Sequence, residues 1–151
     1  MDVYLVKTDG SGTMQWNKTF GGASDDRGYS VVQTVDGGYA IAGYTYSYGA
    51  GGSDVFMVKT DGTGNQLWQR TFGGAIDDFG NSVVQTADGG YAIASRTLSY
   101  GAGWDVYLVK TDAEGEFGLI RTDTTANAVT LYRGVNDVYW NYVRVRIWKI
   151  D

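Results

Sequence analysis

Two adjacent aspartate pairs, Asp25-Asp26 and Asp77-Asp78, stand 52 residues apart, each close behind a Gly-Gly-Ala run. Paired carboxylates suit three kinds of chemistry. They can hold a hard cation such as Ca2+, with carbonyls of a Gly-rich backbone completing its oxygen shell. They can share acid and base work in glycoside hydrolysis. Or one can brace a turn by accepting backbone N–H bonds while the other stays solvated. The spacing matches neither the EF-hand nor the nonapeptide calcium loop. Neighbours in sequence do not set the separation that hydrolysis needs across a cleft, and a catalytic pair has no reason to recur. Bracing is the simpler reading, with Ca2+ binding and an Asp-dependent hydrolase as the functional alternatives. Aromatic residues form a second set. Tyr44, Tyr46 and Tyr48 fall at period two and are expected to share a face, and Tyr100 and Trp104 occupy the equivalent stretch further on. Exposed rings beside Asp, Asn and Gly suit a sugar, which stacks on the ring and is oriented by polar atoms. The plain alternative is packing, which is also the reading for Trp16 and Trp68. The candidate ligand-binding residues are therefore Asp25, Asp26, Asp77, Asp78, Tyr46, Tyr48, Tyr100 and Trp104.

The residue types that are missing narrow the chemistry further. With no His and no Cys in 151 residues, the chain has no Ser-His-Asp or Cys-His triad, thiolate metal site or disulfide. Asp9-Gly10-Ser11-Gly12 lacks the Gly-Lys-Ser/Thr ending of a phosphate loop. No cofactor is implied and no catalytic motif is present, so the expectation is a non-enzyme. A net charge of −5 disfavours nucleic acid and anionic membrane surfaces as partners. No run of about 18 apolar residues suggests a spanning helix, and the segment Met1 to Lys7 does not read as a signal peptide. Arg144, Arg146 and Lys149 form a small basic row that reads as a solvated strand face or as a mate for the acidic rim of another copy.

These residues are carried by a repeat. Asp2-Val3-Tyr4-Leu5-Val6-Lys7-Thr8-Asp9 returns at Asp54 after 52 residues and at Asp105 after 51 more. Thr19-Phe20-Gly21-Gly22-Ala23 returns at Thr71, Ser30-Val31-Val32-Gln33-Thr34 at Ser82, and Asp36-Gly37-Gly38-Tyr39-Ala40-Ile41-Ala42 at Asp88. Gly is abundant at 23 residues and Pro is absent, which suits short strands joined by tight Gly turns. The unit divides into four expected strands over 29–34, 39–46, 54–60 and 66–72, and no run has the length and period of a helix. Lys7, Lys59 and Lys110 read as solvated strand ends.

A repeated four-stranded unit of this length is the signature of a propeller blade, which buries its faces only by stacking on neighbours. The run Gly-Gly-Tyr-Ala-Ile-Ala, then Tyr-Gly-Ala-Gly, Asp-Val-Tyr-Leu-Val-Lys-Thr-Asp, Trp and Thr-Phe-Gly-Gly resembles the tandem β-propeller-type repeats of secreted archaeal and bacterial proteins. The likeness covers residues 2–122. It implies all-β blades, an extracellular or cell-surface setting, and a binding or structural role. In such a ring the segments 21–27, 47–53, 73–79 and 99–104 would gather on one loop face, where a carbohydrate or protein partner is expected.

Residues 1–122 supply two strands of one blade and two further units; the divergent tail 123–151 still alternates like strands and could complete a blade. About three blades per chain are too few to close a ring, since rings usually hold about four to eight. A homodimer would make six. The alternative is a fragment of a longer propeller whose tail caps an open edge.

Overall fold

The structure, a computed structural model, describes residues 1–117. All its regular elements there are strands: β1 (Val3–Thr8), β2 (Met14–Phe20), β3 (Asp26–Gln33), β4 (Tyr39–Thr45), β5 (Asp54–Thr60), β6 (Gln66–Phe72), β7 (Asp78–Gln85), β8 (Tyr91–Thr97) and β9 (Asp105–Thr111). They form three antiparallel sheets, ordered β1-β2, β3-β4-β5-β6 and β7-β8-β9. Thr111 also bridges to Phe117. The protein is all-β, as the repeat predicts. The last strand expected towards residue 122, the tail 123–151 and the row Arg144, Arg146 and Lys149 lie outside the described residues.

β5 and β6 occupy the expected residues. β3 and β7 begin three residues earlier than the pattern predicts, at Asp26 and Asp78. A register shift between Gly28 and Ser30, repeated between Gly80 and Ser82, lets each strand continue through an irregularity. Gly and Asp are depleted in strands, so Asp26-Arg27-Gly28 reads as a loop. Paired against Thr45, Tyr44 and Gly43, it is a strand with a bulge.

The turns follow from their residues. Gly37 and Gly89 have φ near +80°, which Gly adopts without strain. The Asp36 carboxylate accepts from the Thr34 hydroxyl and the Gly38 N–H, and Asp88 repeats this with Thr86 and Gly90. Asp61 accepts the N–H groups of Thr63 and Asn65 at 2.8 and 2.9 Å. Those bonds, led by the Thr63 hydroxyl, hold its carboxyl down at about 2.

Period two assigns the two sides of the middle sheet to two cores. Val55 and Met57 of β5 join Ala40 and Ala42 against Val83, Tyr91, Ile93 and Val109 of the third sheet. Phe56 and Val58 turn the other way, with Ile41, onto Val3 and Phe20 of the first. β7 packs across β3, β4 and β5. Covered on both faces, β5 is buried along all seven residues, including Lys59. This corrects the expectation of a solvated strand end. Lys59 is enclosed because its sheet is the central layer, and Asp36 reaches over its Nζ at 2.8 Å.

Candidate functional site

Asp26 and Asp78 open β3 and β7 and are fully buried. Asp26 accepts from the Gly22 N–H at 2.8 Å, the Ser47 hydroxyl at 2.7 Å and the Thr45 hydroxyl. Asp78 repeats two of these, with Gly74 at 2.8 Å and Ser99 at 2.6 Å. Their own N–H groups donate backward to the carbonyls of Met1 and Ser53, which stand just ahead of β1 and β5, tying each sheet to the one before it. Asp77 accepts the Ser53 N–H at 2.9 Å. Asp25 stays exposed, 3.7 Å from Arg27. The second aspartate of each pair thus braces a turn within the protein: both oxygens of Asp26 and Oδ2 of Asp78 accept from hydroxyls and amides, while Asp78 Oδ1 is buried without a hydrogen-bond partner among the described residues. Among the described residues no three acidic side chains converge to hold a metal ion.

Sequence reasoning passed over Asp54, the first residue of β5. It is buried, and its Oδ2 accepts the Ala50 N–H at 2.9 Å. A side chain at Gly73 would stand 2.2 Å from its Oδ1 and 2.5 Å from Asp78 Oδ2, so the glycine leaves room for two carboxyl groups. Desolvation pushes the Asp54 carboxyl up to about 6; the Ala50 N–H opposes this and the Asp78 charge adds to it. A folded value above the ordinary 3.8 means that the unfolded chain releases this proton first. Stability is therefore expected to fall as pH rises from about 4 through about 6, by at most about 3 kcal/mol. Asp54→Asn should flatten that slope in thermal melts between pH 4 and 7. An unchanged slope in the variant would show that another group carries it. The available signal was the Asp that opens each repeat, at positions 2, 54 and 105.

The aromatic candidates separate into two kinds. Tyr48 stacks on Phe56 with ring centroids 5.8 Å apart, and its hydroxyl donates to the Gly21 carbonyl at 2.8 Å. Tyr100 packs on Tyr107 at 5.4 Å and donates to the Gly73 carbonyl at 2.9 Å. Both latch a loop to the end of the neighbouring sheet. Tyr46 and Trp104 instead belong to one continuous cluster. Tyr44 lies at its centre, 5.6 Å from Tyr29, 5.6 Å from Tyr46 and 4.8 Å from Phe79. Phe79 reaches Trp104 at 5.7 Å. The Arg27 guanidinium lies 5.9 Å from the Tyr44 ring, and that of Arg96 lies 4.8 Å from both Phe79 and Trp104. Tyr29, Tyr46 and Trp104 are each about half exposed. The three tyrosines at period two do not share one face: β4 ends at Thr45, and the chain bends before Tyr48.

The cluster includes Tyr29, Phe79, Arg27 and Arg96, which sequence reasoning did not select. A signal for them exists. Arg27 pairs across the strands with Tyr44, and Phe79 pairs with Arg96. The repeat therefore holds one ring and one guanidinium at each place with their strands exchanged. A groove of about 340 Å³ adjoins the cluster, lined in part by Tyr4, Leu5, Arg27, Tyr29 and Val31.

Among the described residues, no helix is long and apolar enough to cross a membrane, which leaves crossing by strands open. No family model matches the chain. It is 24% identical over 160 residues to the regulatory protein FlaEY of Caulobacter vibrioides, a match covering 85% of this chain. The match spans only 17% of the length of that protein.

Proposed function

We propose that the chain is a non-catalytic binding module of stacked propeller-type blades, and that it takes carbohydrate on the aromatic–arginine cluster of its loop face. The observation that carries this reading is the half-exposed set Tyr29, Tyr46 and Trp104 resting on Tyr44 and Phe79. Rings already packed beneath lose little freedom when a pyranose stacks on them, and Arg27 and Arg96 supply donors at the rim. The blade reading is supported by the meander order of the sheets and by the faces they bury against one another. An extracellular or cell-surface setting goes with the resemblance of the repeat. The Asp-dependent hydrolase alternative has its carboxylates turned inward at Asp26 and Asp78, so binding is the better reading.

The test is a glycan array followed by titration of any hit. Trp104→Ala and Tyr46→Ala are expected to weaken binding about tenfold, equivalent to about 1.4 kcal/mol, without product formation. If no glycan binds, or if binding ignores both substitutions, the reading fails.

A further inference from the structure

Each sheet uses its two faces in a fixed direction. Val3 and Leu5 of β1, like Val55 and Met57 of β5, point to the sheet that follows. Phe56 and Val58 of β5, like Val109 and the half-buried Tyr107 of β9, point to the sheet that precedes. The repeat extends both rules to the two ends of the described stack. The outer face of β7-β8-β9 carries Val84, Ala92, Ala94, Val106 and Leu108, the equivalents of Val32, Ala40, Ala42, Val55 and Met57. In the middle sheet those five residues pack in the core beneath the third sheet. In the third sheet Val106 is 93% and Leu108 66% exposed. At the other end, Tyr4 and Val6 are the equivalents of Phe56 and Val58, yet are 59% and 42% exposed.

We infer that the outer face of β7-β8-β9 docks the outer face of β1-β2 of a second copy of this chain, head to tail. The occupant is identified by the protein's own interior. The interface between the middle and third sheets is the same apolar pattern already covered, and Tyr4 and Val6 offer to a preceding copy what Tyr107 and Val109 offer to the middle sheet. The contact is heterologous, joining two different patches, so it closes into a ring or runs on as a filament according to the rotation between copies. The inference rests on the blade reading of the repeat and is independent of any ligand.

The experiment is light scattering coupled to size exclusion on the full chain, with Leu108→Asp and Val6→Asp variants. Both positions are exposed in the single chain, so the variants are expected to keep its strand circular dichroism. Wild type is expected at twice the chain mass or more, and each variant alone at the chain mass. An equimolar mixture of the two variants keeps one sound face of each kind and is expected to return a one-to-one pair. A wild-type monomer overturns the inference, whether the face is bare or covered by residues 118–151. Assembly that survives in either variant alone overturns it as well, since that would mean like faces meet or another surface pairs, as does a mixture that stays monomeric, since the two sound unlike faces would then not dock.

Discussion

Asp36→Ala is expected to destabilise the protein by about 2–3 kcal/mol, while Asp88→Ala, the same change one repeat later, leaves the unfolding midpoint nearly unmoved. Lys59 and Lys110 make the same bonds, to the turn aspartate at 2.8 Å and to the next residue's carbonyl. Their surroundings differ. The Lys59 side chain is 4% exposed and that of Lys110 45%. Removing Asp36 leaves an enclosed ammonium with one carbonyl. Stranding one partner of a fully buried pair costs about 3–5 kcal/mol, and the estimate lies lower because Asp36 itself stands half in water. An exposed pair contributes little. The Lys59 ammonium, then the Thr34 hydroxyl and Gly38 N–H, holds the Asp36 carboxyl well below the usual range. Its contribution is thus present above about pH 4 and lost only as the solution becomes strongly acid. Lys59→Met, which removes the charge and keeps the stem, should cost much less than Asp36→Ala. Equal midpoints for the Asp36 and Asp88 variants in urea would refute the layered account of the fold.

Phe56→Ala carries a larger expected loss, about 3–5 kcal/mol, the range for emptying a buried aromatic site. Phe56 is buried among Val3, Phe20, Ile41 and Val58, where two sheets meet and neither can close the gap alone. The same ring supports Tyr48, so the loop held by the Tyr48 bond to Gly21 should loosen too. Faster amide exchange in residues 46–53 would report this. Leu67→Ala, at an exposed position on β6, serves as the control and is expected to stay within about 0.5 kcal/mol. A loss at Phe56 no greater than that at Leu67 would mean that the first two sheets do not bury a common core.

The strands and turns were legible in the sequence because the repeat aligns them and because each turn has its own chemistry. Asp36-Gly37-Gly38 states its φ requirement locally, and Val55 to Val58 is a continuous apolar run of strand length. The start of β3 was not legible, since Asp26 and Gly28 are locally poor strand residues and only the partners Thr45 and Gly43 make them one. Burial was read least well. Lys59 and Lys110 are identical in sequence context, and only the number of sheets around each separates them. Among the site candidates, Tyr46 and Trp104 lie in one half-exposed aromatic cluster, whereas Tyr48 and Tyr100 act as latches. That distinction depends on where the 46–53 and 98–104 segments bend, which ring counting along the chain does not reveal.

The exchanged pairs, Arg27 with Tyr44 and Phe79 with Arg96, also constrain the order of substitutions by which the two repeats diverged. Changing one member at a time passes through either two guanidiniums or two rings on neighbouring strands. Directly opposed like charges are destabilising, whereas opposed rings stabilise by about 0.2–1 kcal/mol. The passable intermediate is the double-aromatic one. Any further copy of this repeat caught midway should show rings at both places and a second arginine at neither.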